Sequence, residues 1–521
     1  KYKTGKLTPD GKPDPSVFST SRNPSGIQVG TAIALLIRKS HSGGTDQVMF
    51  RDFWGAKKRE ALLKSANDST EKYLVLNPKA ELGFPFRPAQ VASQYLEWPL
   101  VSELLPVSFP GVKTSRDQAL VSFDRDTLKQ LMLQYYDTSV SDETIQQIAP
   151  SLMASTRRFD AAGTRSDLRQ RGMLEKNIVR YFYRPFDLRW VYWEPETKLL
   201  DEKRPDYFPQ IFEGNWFLFT NERIRKEDAE PALVSSFLTD LNAMDSGARG
   251  FPMYTRDSGI GALLPEESAN PRPNASDQAS QYCASLNRDG EALFFHIAAI
   301  LNSPLYLTEN RDGMRYNWPR IALPEDAAAL DRSAALGRQV ALLMDQQSSA
   351  CFLGNLQRSL AAISKVGGGQ LSESDSDLLV SASWGWKGPG EAAMPGKGRV
   401  IERDYTEEEM AGIKAEAVAR GLGVNALVQL LGSSTLDIYI NDVAYWRNIP
   451  LEVWEYSVGG YQVIKKYLSY RDVKVLGRSL RTEEVRQVTD IVRRLTAIIL
   501  LHPELDANYE RIKAHTWQWP K

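Results

Sequence analysis

Val29 to Ile37 is a mainly apolar run rich in β-branched residues and Val48 to Phe53 a second one, with Ser40 to Thr45 and its Gly43-Gly44 pair between them. This pattern predicts a long β-hairpin with a buried first strand, exposing apolar surface unless another domain covers its edge. Phe84 to Leu105 is rich in proline and aromatics and reads as a linker. Short helices are expected over Thr127–Tyr135 and Ser141–Ile148, the second capped by Ser141 with Asp142 and Glu143 in its first turn. Residues 246–290 are rich in Ser, Asn, Gly, Pro and Asp and read as a long surface excursion. Leu330, Ala334, Leu336, Val340 and Leu343 recur at helical spacing within 327–346, whereas 365–398 is Gly- and Ser-rich with Trp384 and Trp386 embedded. Thr406 and Glu409 form a capping box before Met410 to Ala419, and Leu436 to Ile440 alternates like a strand. Val485, Val488, Val492, Leu495 and Ile499 then place an amphipathic helix over Thr482–Leu501.

At 521 residues the chain exceeds what one core holds, since single cores stop growing near ~250 to 300 residues. Hydrophobic and charged fractions of 42% and 25% are those of an ordinary globular protein, and no apolar run reaches the ~18 residues of a membrane span. No membrane association is expected. Cys283 and Cys351 are the only cysteines, and His41, His296, His502 and His515 lack metal-ligand spacing. A disulfide framework and a structural zinc are therefore not expected, and a reducing cytoplasm fits. The chain opens Lys1-Tyr2-Lys3 without a methionine, as expected of a piece of something longer.

The net charge of −1 argues against a polycation that coats nucleic acid without selection, but the charge is uneven. Arginines and lysines dominate from Arg157 to Arg189 and from Lys465 to Arg486, and Glu402 to Glu416 compensates. Positive faces on a neutral body suit either a cleft for duplex DNA or solvated helix surfaces.

The densest chemistry lies in Asn177–Trp193, NIVRYFYRPFDLRWVYW. Arg180, Arg184 and Arg189 carry planar forks suited to phosphates and guanine edges, among aromatics that can form either a core face or a stacking platform. Pro185 biases Arg184 toward an extended conformation, which either aims its fork outward or pairs it with Asp187. In Gly111–Asp117, GVKTSRD, Lys113, Thr114 and Arg116 are candidate contacts, unless Arg116 and Asp117 simply pair and staple the turn. Gly459-Gly460 permits close backbone approach to DNA or to a packed neighbour. Lys465, Lys466 and Arg471 fit phosphate contacts or solvated charge better than base reading.

Catalytic signatures are missing from the sequence. Asn77-Pro78-Lys79 and Asn270-Pro271-Arg272 lack the second proline and the aromatic of an adenine-binding Asn-Pro-Pro-Tyr segment, and Gly367-Gly368-Gly369 does not follow a predicted strand. Neither a Walker lysine loop nor a nucleophile elbow occurs.

The order of five segments is informative: GVKTSRD, RPFDLRWVYW, Phe251-Pro252-Met253-Tyr254, ILNSPLY at 300–306, and IPLEVWEYSVGGYQVIKKYLSYR at 449–471. This series resembles the C-terminal specificity, or target-recognition, region of type ISP restriction-modification enzymes and adenine-N6 DNA methyltransferases, over about residues 100 to 510. Ser16-Val17-Phe18 and the 26–37 segment stand where the family's methyltransferase domain ends, with 21–25 as an insertion. The resemblance implies an α+β, multidomain chain: an N-terminal β-hairpin remnant of a methyltransferase sheet, a mixed α/β target-recognition region, and a helical C-terminal part. The corresponding divisions are 1–100, 101–345, a helical and loop insertion at 346–440, and 441–521. It further implies sequence-specific recognition of double-stranded DNA, with catalysis and S-adenosylmethionine assigned to an upstream methyltransferase domain of the same polypeptide. The alternative from another class is a non-catalytic interaction scaffold of a phage-defence complex.

Overall fold

The structure, a computed structural model, describes residues 8, 10–12, 14–18, 32–36, 40, 47–67, 73–225, 230–244, 247–256, 270–349, 353–372, 376–388 and 393–520. It divides into two compact units, residues 1–90 and 91–521.

In the first unit the strand expected at Val48 forms over Val48–Phe50, but it pairs antiparallel with Leu74–Leu76, after the helix Lys58–Ser65. Of its expected partner, Val29 to Ile37, residues 29–31 and 37 lie outside the described residues; 32–36 carry no strand, and Ile33, Leu35 and Leu36 are exposed. Asp14 ties the unit together, accepting from the Gly55 amide at 2.7 Å and from Lys58 Nζ at 2.6 Å.

The second unit mixes small sheets with packed helices. Its first sheet is the Asn177–Trp193 segment folded on itself: Ile178–Arg184 and Asp187–Tyr192 form an antiparallel hairpin, flanked by Val121–Ser122 and by Leu238–Thr239 in parallel. Leu233–Ser235, Phe217–Asn221 and Ala248–Pro252 make a second sheet. The third runs Ala362–Lys365, Ala444–Pro450, Thr435–Tyr439, Arg399–Arg403, antiparallel throughout. The division drawn at 440/441 thus falls in the turn of a hairpin, where backbone hydrogen bonds bind both sides into one sheet.

Most helices begin where capping chemistry places them. Asp124, Ser141, Asp289 and Asp326 accept N-terminal amides of the helices Arg125–Tyr136, Asp142–Ile148, Gly290–Ile300 and Ala327–Met344, and Thr406 with Glu409 completes the capping box of Glu407–Ala419. The Gly290–Ile300 and Ala327–Met344 helices pack so closely that a Cβ on Gly337 would overlap the Phe295 carbonyl. Beside them runs Thr482–Ala514, whose buried Val485, Val488, Val492, Leu495 and Ile499 are the predicted stripe. It continues past Leu501 because Leu505, Tyr509 and Ile512 extend the stripe beyond Pro503.

Two expectations need correction. Phe84–Leu105 is not a plain linker: Tyr95, Trp98, Val101, Leu104 and Leu105 are core residues, the aromatic content marking burial rather than connection. Nor is 246–290 a surface excursion throughout. Ala248–Pro252 pairs with Phe217–Asn221, and the helix Asp277–Ser285 buries Ala279, Tyr282 and Cys283. Its glycines misled because Gly250 is there for packing: a Cβ would strike the Phe219 ring.

Candidate nucleic-acid interface

The hairpin of the first sheet turns at Pro185-Phe186, with Phe186 in the left-handed region at φ 58°. That turn sends the Asp187 carboxylate inward. It accepts from Arg189 at 3.1 Å (Nε) and 2.6 Å (Nη2), and from Arg471 Nη2 at 2.9 Å. Side-chain exposures are 1% for Asp187, 9% for Arg189 and 2% for Arg471, so the three-ion cluster joins the hairpin to the distant 449–471 segment inside the core. Burial alone would raise the Asp187 carboxyl, but Arg189 and Arg471 outweigh it and hold the group well below the usual carboxylate range.

Arg184 points elsewhere. Its Nη1 donates to Asp240 Oδ1 at 2.8 Å, and the Tyr181 hydroxyl donates to Asp240 Oδ2 at 2.7 Å. Burial and the neighbouring Asp117 push the Asp240 carboxyl upward against the pull of Arg184. Of the two orientations open for Arg184, inward pairing is the observed one, with Asp240 in place of Asp187. Arg116 likewise does not pair with Asp117: its Nη1 donates to the Leu199 carbonyl at 2.8 Å and its guanidinium lies 3.4 Å from the Phe159 ring centroid. Asp117 instead accepts from Thr114 Oγ1 and from the Tyr183 hydroxyl, the latter at 2.7 Å.

Aromatic rings connect these ions to the surface. Arg189 lies 3.9 Å from the Tyr183 ring centroid, 4.2 Å from that of Phe123 and 4.4 Å from that of Tyr470. Lys466 Nζ takes Tyr470 at 4.6 Å and Tyr461 at 5.4 Å, and Gly459 beneath Tyr461 has no room for a Cβ against Met244. The close approach allowed by Gly459 is therefore to packed protein. Arg471 stacks on Tyr467 at 3.4 Å. The result is a run of cation–π contacts that ends at the partly exposed Lys466.

The candidate contacts separate by burial. Thr114, Arg116, Arg184, Arg189 and Arg471 are buried and hydrogen-bonded internally, so as folded none can offer a fork or hydroxyl to a base edge. The physical reason is the company they keep: acids and rings in one run make core, and a buried charge without its partner is strongly destabilising. Four positions keep charge nearer solvent. Lys113 pairs with Asp201 at 2.8 Å with 44% of its side chain exposed. Arg180 stacks 4.3 Å from the centroid of the half-buried Trp190, and among the described residues no carboxylate pairs with it. Lys465 and Lys466 are partly exposed on the helix Val463–Ser469, and Lys466 donates to the Ala393 carbonyl at 3.4 Å. The braces Asp240, Phe123 and Tyr470 were not singled out from sequence, because each lies far along the chain from the arginine it holds.

Among the described residues no three His, Cys, Asp or Glu side chains gather as a metal site, and no helix is long and apolar enough to cross a membrane.

This architecture has known counterparts. The Type ISP C-terminal specificity domain family matches residues 103–496, and the chain belongs to that family. Its fold is similar to that of a DrdV–DNA complex, at 16% identity and a TM-score of 0.52, over 91% of this chain and 43% of that one. It is similar also to the ATP-dependent Type ISP restriction-modification enzyme LlaBIII bound to DNA, at 14% identity and a TM-score of 0.52, over 91% of this chain and 28% of that one. The chain thus spans less than half the length of the solved proteins it resembles. No curated protein sequence matches it.

Proposed function

We propose that this chain reads a short sequence in duplex DNA for a single-polypeptide restriction-modification enzyme. In this reading an upstream methyltransferase domain of the same polypeptide modifies one adenine at its N6 position, working in the cytoplasm as part of phage defence. The observation that carries the reading is the specificity-domain match across 103–496, together with a fold shared with two proteins solved on DNA. S-adenosylmethionine would supply the methyl group in that upstream domain. In this reading the cradle lies in that upstream domain, because the sequence of this chain carries no Asn-Pro-Pro-Tyr string and no glycine-bend string of the expected form.

Lys113, Arg180, Lys465 and Lys466 are the surface contacts in this proposal, with the lysines on phosphates as mobile point charges. Arg116, Arg184, Arg189 and Arg471 hold the frame that presents them. The test is binding of the chain to a randomised duplex pool, followed by affinity against salt for the sequences retained. A log–log slope of about −0.9 per phosphate contact is expected, and Lys465→Ala or Lys466→Ala should lower its magnitude by about one without altering the preferred sequence. A salt-independent affinity would instead favour a protein-interaction scaffold.

A further inference from the structure

On one face of the first sheet, register pairs follow one another along the hairpin: Ile178 with Tyr192, Arg180 with Trp190, and Phe182 with Leu188. Ile178, Tyr192 and Phe182 are buried. The Tyr192 hydroxyl bonds that of Tyr136, in the helix Arg125–Tyr136, at 2.9 Å, and Phe182 and Leu188 share a small gap with Met344 and Gln346 at the end of Ala327–Met344. Neighbouring elements therefore meet both ends of this face, while the middle pair stays part-exposed.

That middle pair carries donors without acceptors. The Arg180 guanidinium stacks 4.3 Å from the Trp190 ring centroid, and among the described residues no oxygen accepts from it. Its nitrogens reach solvent, as does the Trp190 indole N–H, which likewise has no hydrogen-bond partner among the described residues. Arg184 and Arg189 of the same hairpin instead donate to Asp240 and Asp187. Arg125, 5.8 Å from the same ring centroid, is held by Glu175 at 2.9 Å, and Lys129 takes the other oxygen of that carboxylate at 2.8 Å. Partial burial pulls the Arg180 pKa below the usual arginine range, and no carboxylate raises it again. A guanidinium and an indole N–H can donate but not accept. They match a pair of adjacent acceptors, which in DNA is the O6 and N7 of guanine or the oxygens of a phosphate, and they do not match the mixed donor and acceptor edge of adenine.

We propose that Arg180 is a specificity-determining residue whose fork, held flat by Trp190, reads one guanine of the recognised sequence through its O6 and N7. The inference rests on the reading of the chain as a DNA reader and gives one base position to one residue. Guanine is favoured over phosphate because the fork is fixed: stacking on a cross-strand partner sets its plane, which a bidentate base contact requires and a contact of charge alone does not.

The experiment takes the sequence that the full chain retains from a randomised duplex pool and rebuilds it with each guanine in turn changed to adenine or to 7-deazaguanine, which lacks the N7 acceptor. Anisotropy gives affinities for the unaltered protein, Arg180→Ala, Arg180→Lys and Trp190→Phe, and urea unfolding monitors the fold. At one guanine position adenine should weaken the unaltered protein about tenfold or more, and 7-deazaguanine severalfold. Arg180→Ala should lose about tenfold or more on the unchanged duplex and be indifferent to both replacements at that position. Its urea midpoint should hold, since no acceptor in the protein is left unpaired. Arg180→Lys keeps the charge without the fork and should be equally indifferent there; it decides the matter if the alanine variant fails to fold. Trp190→Phe keeps a ring under the fork and should keep the preference. Uniform weakening on every duplex, restored by Arg180→Lys, would make Arg180 a phosphate contact and overturn the proposal. So would alanine and lysine variants that keep full preference at every guanine, or a retained sequence without guanine, each leaving DNA recognition standing. If the unaltered chain retains no duplex even at low salt, the DNA reading falls and the assignment of Arg180 with it.

Discussion

Replacing Asp187 with asparagine tests most sharply whether the arginine-rich segment is structural. The substitution keeps the volume and one acceptor but removes the charge that Arg189 and Arg471 share, leaving two guanidinium groups whose side chains are 9% and 2% exposed. Breaking a buried ion pair from one side costs ~3 to 5 kcal/mol. Part of this is offset, because Arg189 keeps the faces of Tyr183, Phe123 and Tyr470 and Arg471 keeps Tyr467, each contact worth ~0.5 to 2 kcal/mol when desolvated. A net loss of about 3 kcal/mol is expected, read as a lower urea midpoint at unchanged slope. The pH dependence has a definite sign. Since the folded carboxyl lies below its unfolded value, its contribution is fully present above pH ~4 and fades as pH falls further. The difference between the two proteins should therefore shrink below pH ~4. A loss under ~1 kcal/mol at neutral pH, or a loss of DNA affinity without any loss of stability, would refute the brace.

The other expectations follow from the same packing. Arg189→Ala and Arg471→Ala should lower stability by ~3 to 5 kcal/mol in urea unfolding, and loss of preference at one base position with the fold unharmed would instead restore them as base readers. His296 is buried, with Nε2 donating to the Ala322 carbonyl at 2.9 Å and Nδ1 2.8 Å from Ser333 Oγ, and burial lowers its pKa to about 4. The unfolded chain binds this proton first, so stability should fall as pH drops from ~6.5 toward 4, by ~3 kcal/mol at most; His296→Gln should flatten that part of a stability–pH curve. Gly337→Ala should destabilise by ~1 to 3 kcal/mol despite alanine's better helix propensity, since its methyl group would overlap the Phe295 carbonyl. Cys283, buried with its thiol pushed up to about 11, should resist alkylation in the folded protein.

Much of the helical part was legible because its signals are local. Ser141 caps its helix, Thr406 and Glu409 close their box, and the valine and leucine spacing after Thr482 gives the long helix its buried face. The Asn177–Trp193 segment stood out by composition, but neither its hairpin pairing nor the destinations of its arginines did. Arg184 finds Asp240 and Asp187 finds Arg471, 56 and 284 residues away, and no spacing rule spans such distances. Gly250 reads as a loop glycine in sequence although it serves close packing. The two tryptophans were also obscure: Trp384 and Trp386 share one Gly- and Ser-rich stretch two residues apart, and only the distant Asp472 and the Tyr439 carbonyl, which hold Trp384, separate the buried ring from the exposed one.

The central claim, that the chain itself grips duplex DNA through surface lysines on an internally braced frame, is met most directly by one titration. Affinity of the chain for a selected duplex should be measured from low to moderate salt, with Lys465→Ala and Arg189→Ala alongside. The account predicts a steep salt dependence that Lys465→Ala reduces by about one phosphate's worth, and an Arg189→Ala protein that loses stability before it loses selectivity. Salt-independent binding, or an Arg189→Ala protein that is as stable as the original yet indifferent to sequence, would contradict it.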